Sequence, residues 1–202
     1  MDAEAWDERY RGKELVWSAG PNRFVAEELA DLPPGRAVDL AAGEGRNAVW
    51  LAEQGWDVDA VDFSAVALEK AEQMARERGV TIRTVSADVT EAGSVLAQAP
   101  LFDLALIVYL HLPWPRMEEA LRLAATSVRP GGTLLLVGHH ADNISRGHGG
   151  PQDPDVLYTA EQVAEAWRPS ARIVKAEAVD RPVETDEGPR TAIDALVRAE
   201  RI

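Results

Sequence analysis

The sequence predicts an α/β fold, a parallel sheet with helices on both faces. Three observations carry this expectation. Between residues 37 and 138, short apolar runs alternate with stretches whose apolar residues recur at helical spacing. Phe102 to Tyr109 is almost continuously apolar, as suits a strand buried on both faces. The turn Gly43-Glu44-Gly45 stands between the first strand and its helix, and glycine there lets the backbone approach a ligand closely. The 202 residues, 46% of them hydrophobic, suffice for a single domain over 1–202 with its own core.

Taken in order, residues 1–34 read as an N-terminal helical segment of that domain. Trp6 and Tyr10 are four residues apart, so one helical turn puts them on one face. Such a helix packs on the domain edge or acts as a lid over a ligand. Pro21-Asn22 opens a helix with Val25, Leu29 and Leu32 on one face, and Pro33-Pro34-Gly35 ends it. Strand 37–40 passes through the glycine turn into helix 46–54, where Ala48, Leu51 and Ala52 share a face and Gly55 closes. Strand 57–61 leads to helix 65–78, with Ser64 as N-cap, Gly79 as stop, and Ala67, Ala71 and Met74 facing inward. Strand 81–85 precedes a helix near 91–98. After strand 102–109, Pro113-Trp114-Pro115 starts helix 115–128, striped by Met117, Ala120, Leu121, Ala124 and Val128. Arg129-Pro130-Gly131-Gly132 then turns the chain into strand 133–138. Residues 139–156 lack any periodicity and read as a long functional loop. Thr159 to Gln162 has the residues of a capping box for helix 160–167. Strands near 171–179 and 191–198 follow.

Composition excludes several classes. A net charge of −13 and the lack of any basic run argue against a grip on nucleic acid or on anionic membranes. With no cysteine there is no disulfide, thiolate metal site or thiol nucleophile. The acidic, polar N-terminus is no secretory signal, and the longest apolar run, Leu104 to Leu110, is too short to span a bilayer. A cytoplasmic location is expected.

Chemistry gathers at strand ends. Asp39 closes the first strand, four residues before Gly43. Asp62 closes the second, 19 residues after Gly43, the distance at which an acidic group holds ribose hydroxyls. Asp88 follows the third. Phe63, beside Asp62, suits stacking on a base. His111 follows the fourth strand, and His139 and His140 follow the fifth; these three are the candidates for an acceptor-facing or basic role. His139, His140, Asp142 and His148 do not have the spacing of a metal motif, so no metal is expected.

The segment Asp39-Leu40-Ala41-Ala42-Gly43-Glu44-Gly45 resembles the Asp-x-Gly-x-Gly-x-Gly motif of class I S-adenosylmethionine (SAM)-dependent methyltransferases, with Ala41 in place of the first glycine. Gly45-Arg46-Asn47-Ala48 and Leu51-Ala52-Glu53-Gln54-Gly55 look most like the tellurite-resistance and thiopurine branch, whose members act on small molecules. The resemblance implies a Rossmann-like, doubly wound sheet of seven strands, mostly parallel, with an antiparallel C-terminal hairpin. It implies SAM as cofactor, S-adenosylhomocysteine (SAH) as product, and a small acceptor with an oxygen, nitrogen, sulfur, chalcogen or halide nucleophile. Cofactor contacts would fall to Asp39, Leu40, Ala41, Gly43, Gly45 and Asn47 for the methionine part and to Asp62 and Phe63 for the ribose and base. Ala87, Asp88 and Val89 would meet the adenine, Tyr109 would line the pocket, and Arg9, Tyr10 and Trp17 would belong to the lid. Methyl transfer is an in-line displacement on an already activated carbon, so a base is needed only where the acceptor is protonated.

Rival readings are a nicotinamide-dependent oxidoreductase, since Gly43-x-Gly45-x-x-Ala48 meets the relaxed dinucleotide fingerprint, and a non-catalytic SAM-binding module. A nucleic-acid methyltransferase is disfavoured: Tyr109-Leu-His-Leu-Pro113 stands where Asn/Asp-Pro-Pro-Tyr often does.

Overall fold

A computed structural model describes residues 3–12, 20–91, 93–96 and 99–202. In chain order the elements are α1 (Ala3–Arg11), α2 (Arg23–Leu29), β1 (Arg36–Leu40), α3 (Arg46–Glu53), β2 (Asp57–Asp62), α4 (Ala65–Glu77), β3 (Arg83–Ser86), α5 (Gly93–Leu96), β4 (Phe102–Val108), α6 (Trp114–Ser127), β5 (Val128–His139), α7 (Asn143–Arg146), α8 (Ala160–Trp167), β6 (Ala171–Thr185) and β7 (Gly188–Arg201). The strands form one sheet in the order β3-β2-β1-β4-β5-β7-β6. β1 to β5 run parallel; β7 pairs antiparallel with both β5 and β6. The strand order reverses between β1 and β4, which opens a crevice at their carboxyl ends.

The central strands are apolar on both faces because both faces are covered. Ala105 and Ile107 of β4 and Leu134 and Leu136 of β5 point into one cluster with α6 and α8. Their neighbours Leu104, Leu106, Leu135 and Val137 point into the other, with α2 and α3. Trp167, 1% exposed, ties α8 to α6 by donating its indole N–H to the Leu121 carbonyl at 3.0 Å. Ser64 caps α4 through the Ala67 N–H, and Thr159 and Gln162 complete the capping box of α8.

Several elements differ from the sequence reading. α2 stops at Leu29, so Leu32 lies beyond it. β5 begins already at Val128, opposite Phe102, with a register shift across Arg129–Gly132. Residues 139–156 are ordered by α7, by a 3-10 turn at Pro154–Val156, and by the bridge of His140 to Tyr158 just beyond. The C-terminal hairpin is longer than expected. β5 pairs with β7 only as far as His139 opposite Asp194, while β6 and β7 continue to Thr185 opposite Gly188. The hairpin therefore overhangs the carboxyl ends of the parallel strands.

Candidate active site

The glycine turn is left-handed at three points: Ala41 (φ 63°), Gly43 (φ 55°) and Gly45 (φ 78°). Alanine bears this conformation at a cost that glycine does not. Tyr109, where β4 ends, is the other non-glycine residue with positive φ (57°) among the described residues. Both strained positions flank the switch-point crevice, and strain of this kind concentrates at ligand sites. A Cβ on Gly43 would come to 3.0 Å from the Tyr10 hydroxyl, and one on Gly45 to 2.5 Å from Ala71 Cβ. The turn thus sits hard against α1 on one side and α4 on the other.

Asp39 is 1% exposed, and neither carboxylate oxygen has a well-formed hydrogen bond among the described residues. Burial, reinforced by the charge of Asp62, pushes its carboxyl up to about 7 against the opposing pull of Arg46 and the Ala48 N–H. A buried, unpartnered acid at a glycine turn fits a cationic ligand group such as an amino acid's ammonium. Asp62 accepts the Gly43 N–H at 2.8 Å and the Ser64 N–H at 2.9 Å. Its burial still raises the carboxyl above the usual range. It both shapes the turn and reaches the crevice.

The other expected cofactor residues are placed as follows. Leu40 and Val89 give their side chains to the core, leaving only backbone for a ligand. The Asn47 side-chain Oδ1 accepts the Asn22 N–H at 2.9 Å and so joins α3 to the start of α2. Phe63 is half-buried beside Asp62, and the Ala87 N–H donates to the Asp62 carbonyl at 3.0 Å. Asp88 accepts from the Thr90 N–H (2.9 Å), the Thr90 hydroxyl (2.8 Å) and Arg116 (2.8 Å). Partial burial works against its charge, but these partners outweigh it and hold the carboxyl below its ordinary range. In α1, Tyr10 stacks on Trp6 (5.4 Å), Arg9 lies over the Trp6 ring (5.0 Å), and Lys70 bonds the Tyr10 carbonyl at 2.6 Å. Asp7 accepts from the Ser64 hydroxyl at 2.5 Å. The helix lies across the glycine turn; Trp17 falls outside the described residues.

On the other side of the crevice, Tyr109, His111, His139 and Tyr158 stack in a chain, with ring centroids 4.9 Å (Tyr109–His139), 5.3 Å (His111–His139) and 5.7 Å (His111–Tyr158) apart. The His111 Nε2 accepts the His139 N–H at 3.0 Å. Burial first, then His139, push its pKa down to about 3, so its ring is neutral and its lone pair is spent on backbone. His140, 8% exposed, accepts the Asp142 N–H on Nδ1 at 3.1 Å. Tyr158 donates to the Leu110 carbonyl at 3.0 Å. Around Tyr109 stand residues that the sequence reading left unassigned. Asp194, fully buried, accepts the Tyr109 hydroxyl at 2.7 Å and Arg181 Nε at 2.7 Å. Arg46 and Arg181 lie 5.9 and 5.6 Å from the Tyr109 ring centre. Arg46 stood in the quoted motif; Asp194 and Arg181 come in through strand pairing, which no local signal announces.

Residues 37–132 match the family model of the methyltransferase domain. The tRNA 5-carboxymethoxyuridine methyltransferase of Escherichia coli K12 is 32% identical over 121 residues, 57% of this chain and 45% of that protein. The chain spans less than half the length of the curated relatives it first matches. Among solved structures, the N-methyltransferase NodS of Bradyrhizobium japonicum, in complex with SAH, aligns with TM-score 0.71 at 18% identity over 98% of this chain and 97% of its own. TehB of Haemophilus influenzae aligns with TM-score 0.72 at 16% identity over 99% and 67%. Residues 37–132 thus match a methyltransferase domain, and nearly the whole chain shares its fold with a SAH-bound N-methyltransferase.

Proposed function

We propose that this chain transfers the methyl group of SAM to a small-molecule acceptor held at the ends of β4 and β5, under the β6–β7 hairpin. The observation that carries the reading is Asp39, a buried acid without a well-formed hydrogen bond, on a strand that runs into strained Ala41 and lies beside the strand that ends at strained Tyr109. Asp39 with the turn from Ala41 to Gly45 would hold the methionine part, Asp62 the ribose, and Asp88, Val89 and Phe63 the base. Leu40 and Ala87 would contribute backbone, while Asn47 supports the turn from behind. Arg9, Tyr10 and Trp17 would close the N-terminal side. When bound, the cofactor supplies a methyl carbon already activated by its sulfonium. What remains for the protein is to orient the acceptor in line, exclude water and manage the acceptor's proton. Tyr109 and the three histidines His111, His139 and His140 wall the acceptor side for that purpose.

A small acceptor is supported by the −13 charge, which repels phosphate backbones, and by the hairpin that overhangs the crevice. The tRNA relative makes nucleic acid the contrast to test. Calorimetric titration with SAH, and separately with NADH and NADPH, tests the cofactor. Micromolar binding of SAH alone, about −8 kcal/mol, is expected; binding of a nicotinamide cofactor alone would make this an oxidoreductase. Asp62→Ala should weaken SAH by at least about tenfold, since it loses the ribose contact and loosens Gly43. An unchanged affinity removes Asp62 from the site.

A further inference from the structure

We propose that Asp194 orients His139 as the general base of this site, so that the acceptor is one that arrives protonated, such as a hydroxyl compound, rather than a ready-made anion. This rests on the methyl-transfer reading above.

Three histidines follow the fourth and fifth strands, and two have spent their lone pairs. His111 accepts the His139 N–H and His140 accepts the Asp142 N–H. His139 is the remaining one. Its Nδ1 is enclosed and faces Asp194 Oδ1 at 3.3 Å, an ion-pair distance; neither atom makes a well-formed hydrogen bond among the described residues, so the two buried groups have only each other to face. The placement follows from register: His139 and Asp194 are directly opposed on antiparallel β5 and β7, so their side chains share a face.

Asp194 is itself fixed. The Tyr109 hydroxyl and Arg181 hold its other oxygen at 2.7 Å each, and the guanidinium keeps it ionised in a buried place. An ionised carboxylate facing Nδ1 selects the tautomer with the proton on Nδ1 and the lone pair on Nε2. The imidazole is hemmed in by the Tyr109 and His111 rings, which also neighbour each other at 6.3 Å, and by the backbone of Gly150. A Cβ on Gly150 would come within 2.9 Å of Nε2. A Cβ there would also meet Cδ2 at 2.8 Å and Cγ at 2.9 Å, so glycine at 150 leaves the ring its place.

The step balances simply. The acceptor's O–H proton moves to His139 Nε2, the freed oxygen pair forms the bond to the methyl carbon, and the carbon–sulfur pair stays on sulfur, which becomes a neutral thioether. The imidazolium, stabilised by Asp194, releases its proton to water after the product leaves. Asp194 is a positioning residue; His139 touches the reacting proton.

Nitrogen NMR of the full chain labelled at histidine tests this without knowing the acceptor, with His139→Gln assigning the signal. In its neutral imidazole form, His139 should show a protonated Nδ1 and a bare Nε2. Asp194→Asn should shift the proton to Nε2 while SAH affinity stays within about twofold of wild type. A protonated Nε2 in wild type, or a tautomer indifferent to Asp194→Asn, overturns the dyad while SAH binding leaves the cofactor reading standing. Should Asp194→Asn fail to fold, the wild-type spectrum alone decides. Absence of SAH binding in wild type overturns both.

Discussion

A carboxyl that titrates near 7 makes Asp39 a reporter of its own site. Its folded value of about 7 lies above the unfolded 3.8. Between the two, the folded chain keeps a proton that the unfolded chain has lost. Its contribution is thus most favourable below about pH 4 and is lost as pH rises through 7, a change on the order of 4 kcal/mol. Asp39→Asn should therefore raise the melting temperature at about pH 8 far more than at about pH 4. A cationic ligand group beside Asp39 favours the ionised form, so SAH affinity should rise between about pH 6 and 8 and be flat in the variant; equal slopes would place the ammonium elsewhere. Gly138→Ala is a second residue-scale test, since the added methyl would meet the Tyr158 hydroxyl at 2.0 Å. It should cost about 1–3 kcal/mol, read as a lower urea midpoint with unchanged slope. The meeting of Gly43 with Asp62 was legible in the sequence because both lie within one strand–turn–helix–strand unit. Asp194 was not, because its meeting with His139 depends on the register of strands 55 residues apart. Nor did the sequence reveal the left-handed backbone at Ala41, which explains in retrospect why the related motif has glycine there.

At the scale of elements, α1 is the piece that joins the glycine turn to α4. It is held by Asp7 on Ser64, by Lys70 on the Tyr10 carbonyl, and by Tyr10 itself against Gly43. Tyr10→Ala should raise amide exchange over residues 3–12 while β1 and α3 stay protected, and should weaken SAH about tenfold. Retained affinity would make α1 an edge helix rather than part of the site. Helices and parallel strands were read well from periodicity and caps, as α8 with its realised capping box illustrates. The sequence reading ended the hairpin strands near 179 and 191, short of the turn between Thr185 and Gly188. Pro182 is accommodated since β6 is an edge strand, where a missing N–H leaves no inner ladder unpaired. Trp167→Ala, which opens the α6–α8 seam, should cost about 3–5 kcal/mol, measured by chemical denaturation.

For the whole molecule, the acidic surface and the overhanging hairpin together bear on who can enter. No helix of the described residues is long and apolar enough to cross a membrane. Topology was the part least available from spacing alone: alternating elements predict a parallel sheet, but only the resemblance supplied the reversal at its end. That reversal places β7 between β5 and β6. A strand translated later is thus wedged between two translated earlier. During synthesis, the outer side of β5 must wait with its hydrogen-bonding edge bare, and β6 has no seat at all until its successor has left the ribosome. The nascent chain is therefore committed to a late, all-or-none closure, with the acceptor wall, Arg181 and Asp194 among it, arriving last and together.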